Sequence, residues 1–273
     1  VLTAVALSCG ATAAGAQLPQ QSDPNSVGVT ASFGINVLIG GVTAATRAWL
    51  EGHDPARAFA YGAIGGAVHF GAKLIGPGAA LVGPAVGATG TSIVVNAGRG
   101  VSPFDELYLP VGPVRLRFTP RAPRKVRVAF HAHNAVVLAG NLARDGLVMD
   151  WARTGSSGTF VLRSDNRHIV SGGREVEGLA NASVIVMSDF AADPDQTERH
   201  EVVHVHQYWF IDEAVGRPIE EYLRRAIPGA RRIPRWLELG VVPPALAIIE
   251  RSLFGRDGPV YRLIESEAEM LSR

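Results

Sequence analysis

The chain has 273 residues, 47% hydrophobic and 19% charged, with a formal net charge of +1. That balance excludes a disordered polar chain and a strongly basic nucleic-acid binder, and the length allows a sizeable core, about two domains by size. A single cysteine, Cys9, excludes a disulfide framework and any cysteine-based zinc site.

Residues 1–16, VLTAVALSCGATAAGA, form an apolar run ending in Ala14-Gly15-Ala16, and Gln17 then opens a polar stretch. An apolar stretch followed by an A-x-A pattern is the signature of a secretory signal, so export to an extracytoplasmic (periplasmic or secreted) location is expected. Ala6-Leu7-Ser8 before Cys9 matches a lipid-attachment site poorly.

Between residues 27 and 100 the composition turns apolar and glycine-rich, with Glu51 and Asp54 as the acidic residues. Three apolar segments, 33–50, 56–76 and 79–98, are separated by Gly52-His53-Asp54-Pro55 and by Gly76-Pro77-Gly78. Asp54 before Pro55 makes a helix N-cap and first-turn pair. The reading is two or three helices packed as a hairpin. Ala58, Gly62 and Gly66 recur at four-residue spacing, which puts them on one helix face and lets backbones approach. Interior glycine costs about 1 kcal/mol per position, so this many need a packing or membrane reason. Each segment nears the spanning length of about 20 residues, but Arg47, His69 and Lys73 sit within or near the ends. The readings are a membrane-associated hairpin, with spanning disfavoured, and a tightly packed soluble helical layer.

From Glu106 to Asp189 the pattern changes to strands. Residues 107–118 and 125–130 alternate arginine with apolar residues, 131–143 suits a short helix, and 158–164 and 182–189 suit two more strands, the last apolar enough to be central. His131 and His133 would share a face if both lay in a strand, a weak candidate for a metal pair.

The segment 193–210 reads DPDQTERHEVVHVHQYWF and contains His200-Glu201-Val202-Val203-His204, the H-E-x-x-H pattern. Asp193, Pro194 and Gln196 supply a helix start. On that helix the two histidines lie one turn apart on one face and can converge on a single ion, with Glu201 one residue round. Zinc held by neutral imidazoles lowers the pKa of its water toward 7, and Glu201 then serves as general base. A chain of this composition produces the pattern by chance on the order of 0.01 times.

The stretch HEVVHVHQ resembles the zincin metallopeptidases, and more narrowly gluzincin-like bacterial domains whose helix reads H-E-x-x-H-x-x-Q, with Gln207 in the matching place. Such families carry the third ligand on a later helix, within E-x-x-A followed by an acid. Residues 265–269, ESEAE, fit, and the resemblance implies Glu265 as the third ligand and Ala268 as the close-packing residue. Glu267, Glu250, Glu238 and Glu220 are rivals for that role. The resemblance covers roughly residues 180–273.

The remaining candidates are plainer. Gln207 falls on the ligand face and suits a buttressing role. Tyr208, Tyr222 and Tyr261 are candidates to donate to a developing oxyanion. His206 reads as structural or solvent-facing, Asp189 as a turn former or an orienter of a ligand histidine, and Arg231, Arg232 and Arg235 as a basic loop. The expected architecture is α+β: a signal-like segment at 1–16, a Gly-rich apolar helical hairpin at 27–100, and a small β-sheet followed by a zincin-like helical half at 101–273. The expected function is an extracytoplasmic zinc metallopeptidase acting on a protein or peptide, possible membrane association residing in residues 27–100 and no nucleic-acid partner. The alternative is a non-catalytic membrane-associated scaffold with a structural or vestigial zinc site.

Overall fold

The computed structural model describes residues 28–79, 81–123, 125–165, 169–171, 174–240, 242–254 and 258–273. The signal-like segment 1–16 and Cys9 lie outside the described residues.

The fold is α+β. It opens with α1 (Val29–Leu50), α2 (Pro55–Lys73) and α3 (Val82–Gly98). Strands β1 (Leu107–Val111), β2 (Val114–Phe118) and β3 (Val126–His131) lead into α4 (Ala132–Leu142). Then come β4 (Leu147–Met149), α5 (Trp151–Ser157), β5 (Phe160–Ser164), β6 (Ile169–Ser171), β7 (Arg174–Val176), β8 (Gly178–Asn181) and β9 (Val184–Ser188). Helix α6 (Pro194–Ile211) continues through a π-helical turn (Asp212–Gly216) into α7 (Arg217–Ala226), and β10 (Leu237–Glu238), α8 (Val242–Phe254) and α9 (Pro259–Ser272) complete the chain.

The glycine-rich region is a layer of three helices. Asp54 caps α2 as its sequence suggests, its Oδ1 accepting from the N–H groups of Ala56 and Arg57 at 2.9 and 3.2 Å. The small residues explain themselves by contact. A Cβ on Gly62 would lie 2.4 Å from the Gly40 carbonyl oxygen, and one on Gly66 would lie 2.2 Å from that of Asn36. The α1 and α2 backbones touch here, and any side chain would force them apart. Gly65 and Gly90 do the same between α2 and α3.

Two four-stranded sheets replace the single small sheet of the sequence reading. One has order β1-β2-β3-β10, and the other β4-β5-β9-β8, with β5 and β9 parallel. The run 182–189 supplies β9, central in its sheet and buried along its whole length. Strands β4 and β6–β8 have only three or four residues each, too few for a period-2 pattern to stand out.

Helix α6 is enclosed on several sides. Val202, Val205 and Trp209 pack on Val161, Ile185 and Met187 of the second sheet. Phe210 joins Ala44, Ala48, Ala58, Val94 and Ala97 of the three-helix layer. The other face of the sheet, with Leu162, Val184 and Val186, packs against Val137 and Leu138 of α4. Burial of each such aliphatic side chain stabilises by about 1.5–3 kcal/mol, enough in aggregate to fix the helix in place.

Candidate metal centre

The α6 helix starts as its sequence dictates. Asp193 is the N-cap, its Oδ1 accepting from the Gln196 N–H at 2.9 Å, and Pro194 takes the first helical position. This phases the helix so that His200, His204 and Gln207 face α9. Their Nε2 atoms bring His200 and His204 to 3.0 Å, and Glu265 Oε2 of α9 lies 3.4 Å from the first and 3.5 Å from the second. One ligand atom from each of the three residues falls within 4.8 Å of the others, a group able to hold a metal ion.

The donor set can be tested against a metal directly. Four ligands at 2.0–2.1 Å in a tetrahedron stand about 3.3 Å from one another. The three separations bracket that value. The Nε2–Nε2 contact is met either by one imidazole N–H donating to the other ring or by a cation between them. Electrostatics agree. Burial alone would raise the Glu265 carboxyl, but hydrogen bonding to His200 and His204 outweighs it and holds it well below the usual carboxylate range. Burial alone would lower His204, and Glu265 and Glu201 outweigh it in the other direction. The pocket favours positive charge at its centre.

The tautomer of His204 is fixed by its neighbours. Gln207 Nε2 donates to the Ile264 carbonyl oxygen at 3.1 Å and to Glu267 Oε2 at 2.7 Å. With both amide hydrogens committed, Gln207 Oε1 faces His204 Nδ1 at 2.8 Å and must accept its proton. His204 Nε2 is thereby left as a lone pair aimed at the ligand cluster.

Glu201, within electrostatic reach of His200, His204 and Glu265, faces β8. Its Oε2 accepts from the Ala180 N–H at 2.6 Å. Burial pushes its carboxyl above the ordinary value, against the opposing pull of His204 and His200. β8 comes this close because residue 178 is glycine: a Cβ there would lie 2.6 Å from Thr197 Cγ2 and 3.0 Å from Glu201 Oε1.

The other sequence candidates separate. Glu267 is buried two residues beyond Glu265 and engages Lys73, Ser32, Asn36 and Gln207. Glu238 pairs with Arg115 and Arg117, and Glu220 accepts from Arg224 and the Leu239 N–H. The side chain of Glu250 lies outside the described residues. Tyr208 donates to Asn134 Oδ1 at 3.0 Å, away from the oxyanion role. Tyr261 stands one turn before Glu265 on α9, and Tyr222 is exposed on α7. Asp189 lies near Arg163 rather than a histidine. His206 is buried, with its ring against His69 and Trp209 and with Gly87 of α3 beneath it, so its role is packing. Arg231 donates to the Arg225 carbonyl oxygen, while Arg232 and Arg235 are exposed.

The idea that His131 and His133 share a strand face does not hold. His131 closes β3 and caps α4, its Nδ1 accepting from the Asn134 N–H and its Nε2 facing Asp212 Oδ2 at 2.9 Å; His133 is already helical. Chain direction turns between the two residues.

Sequence reasoning passed over Ser32 and Asn36 and took Lys73 only as a charge in an apolar segment; all three meet Glu267 from α1 and α2. A lysine at the end of an apolar helix whose other charge, Arg57, lies in its first turn was the available signal, since burial of an ammonium demands a partner. It also passed over the π-helical turn, where Asp212 and Glu213 face Arg115.

Comparison with family models, curated proteins and solved structures returns no match.

Proposed function

We propose that this chain is a zinc-dependent hydrolase of amide bonds in proteins or peptides, built like the zincin metallopeptidases its helix motif resembles. The observation that carries the reading is the convergence of His200, His204 and Glu265, with Glu201 next in the helix and within electrostatic reach of all three. Two histidines and a glutamate are a catalytic zinc set, which leaves a fourth position for water or substrate. The side chains of His200 and Glu265 are 25% and 36% exposed, so a substrate can reach them.

Zinc held by these residues supplies a Lewis acid and makes water nucleophilic at neutral pH. Glu201 takes the proton of the attacking water as the oxygen bonds to the amide carbon. It returns that proton to the departing nitrogen as the C–N bond breaks, so the carboxylate ends unchanged. Ala180 N–H holds the Glu201 carboxylate in orientation through that cycle.

A second element concerns location. Helix α1 is long and apolar enough to cross a membrane by length and composition, and only 22% of its most apolar window is buried. Phe33, Leu38 and Ile39 of α1 and Phe59 and Ile64 of α2 are exposed. No charged residue falls between Gly28 and Thr46 or between Ala58 and Phe70. This supports an extracytoplasmic protein lying against a lipid surface through α1 and α2, with the hydrolytic site outside the bilayer.

Elemental analysis of the purified chain and of His204→Ala is the first test. About one zinc per chain in the parent and loss in the variant are expected. A peptide-library digest with Glu201→Gln as control then tests the chemistry. Loss of about 10²–10⁴ in rate with zinc retained is expected. Full cleavage by Glu201→Gln removes the mechanism, and zinc bound without cleavage by the parent favours the scaffold alternative.

A further inference from the structure

The metal ligands reside on α6 and α9, yet a buried network ties them to α1 and α2. Glu267 is its hub. Its Oε2 accepts from Lys73 Nζ at 2.6 Å and from Gln207 Nε2 at 2.7 Å. Its Oε1 accepts from Ser32 Oγ and from Asn36 Nδ2, both at 2.6 Å. Lys73 Nζ also donates to Asn36 Oδ1 at 2.9 Å, which sets the orientation of that amide. Lys73 and Glu267 are both deeply buried, with side-chain exposures of 3% and 9%.

We propose that Lys73 and Glu267 are positioning residues of the metal centre, holding Gln207 in the one amide orientation that presents His204 Nε2 to the ion. This rests on the metal-centre reading above. The chain of causes is short. Were Gln207 flipped, its oxygen would face the Glu267 carboxylate and the Ile264 carbonyl, and its NH₂ would face His204 Nδ1. Two oxygen–oxygen contacts would replace two hydrogen bonds, and His204 would be driven to carry its proton on the ligating nitrogen. Glu267 prevents the flip only while its carboxylate is held in place, and Lys73, Ser32 and Asn36 hold it. The three-helix layer is therefore part of the site, and its buried polar residues have a use that packing alone does not require.

The experiment separates positioning from mere support of the fold. Zinc affinity is measured by chelator competition for the full chain, Lys73→Met, Glu267→Met and the double variant Lys73→Met/Glu267→Met, with far-UV circular dichroism and the Co(II) ligand-field spectrum alongside. Each single variant strands a buried polar group and is liable to fold poorly. The double variant removes both charges together, so no buried charge is left unpaired. The expected result is a folded double variant whose zinc affinity is still about 10- to 100-fold weaker, with an altered Co(II) spectrum, the range usual for lost partners of ligating residues. A folded double variant with parental affinity and spectrum overturns the positioning role and leaves the metal centre standing. A parent chain that binds no zinc overturns both.

Discussion

Lys73 and Glu267 lie 194 positions apart in the sequence and 2.6 Å apart in space. Their pairing joins the glycine-rich helices to the helix that carries Glu265 through a buried ion pair. A buried ion pair of this kind adds little net stability over an apolar pair but strongly penalises the loss of one partner.

Glu265 completes the group of side chains able to hold a metal ion. Glu265→Ala removes the carboxylate 3.4 Å and 3.5 Å from the two imidazoles. Zinc affinity should fall by two orders of magnitude or so, by analogy with the cost of losing outer partners alone. Glu220→Ala, on a carboxylate engaged elsewhere, should leave affinity unchanged. Isothermal titration of both variants against the parent checks the pair.

Gly178 sets the distance between β8 and the proposed base. Gly178→Ala places a methyl 3.0 Å from Glu201 Oε1 and 2.6 Å from Thr197 Cγ2. The strand must shift and the Ala180 hydrogen bond with it. Peptide hydrolysis should drop about tenfold or more while zinc content stays near one per chain, since positional errors of an ångström are costly. Parallel measurement of kcat and metal content separates this from loss of the site.

Within the helical layer, two glycines should behave oppositely. Gly66→Ala drives a methyl to 2.2 Å from the Asn36 carbonyl oxygen, and destabilisation of about 1–3 kcal/mol is expected. Gly34, in α1, has open space for 4 Å around the position a Cβ would take, and Gly34→Ala should stabilise by about 0.4–1 kcal/mol. Thermal melts of the two variants report the sign of each.

Acid stability should trace in part to Asp212. Burial alone would raise its carboxyl, but Arg115 and His131 outweigh burial and bring it down to about 2. The folded value is depressed, so the stabilisation is present above the unfolded value near 3.9 and is lost as pH falls through about 2. Asp212→Asn should be less stable than the parent at neutral pH, and the gap should narrow across that acid range. Denaturant titrations at a series of pH values would reveal a constant gap if the reasoning fails.

The proposed lipid face is tested by flotation. Phe33→Asp/Ile39→Asp should weaken co-flotation of the chain with vesicles while leaving zinc content intact, because both side chains are exposed and remote from the ligands in sequence. Unchanged flotation removes α1 as the contact.

Much of this protein was set locally. The H-E-x-x-H spacing, the Asp193 cap and the Asp54-Pro55 start act within one or two helical turns, so the sequence by itself determined that His200 and His204 share a face and where α2 and α6 begin. The apolar run Val184–Met187 within 182–189 likewise determined a central strand. What lies far apart in the chain was decided by tertiary structure. The E-x-x-A resemblance favoured Glu265 as third ligand, with Glu267, Glu250, Glu238 and Glu220 as rivals that spacing alone did not dismiss. Packing of α9 on α6 turned Glu265 toward the imidazoles and Glu267, two residues on, toward Lys73. Residues two apart on a helix diverge by about 200°, so a single rotation of α9 assigns one carboxylate to the metal position and the other to the network that supports it.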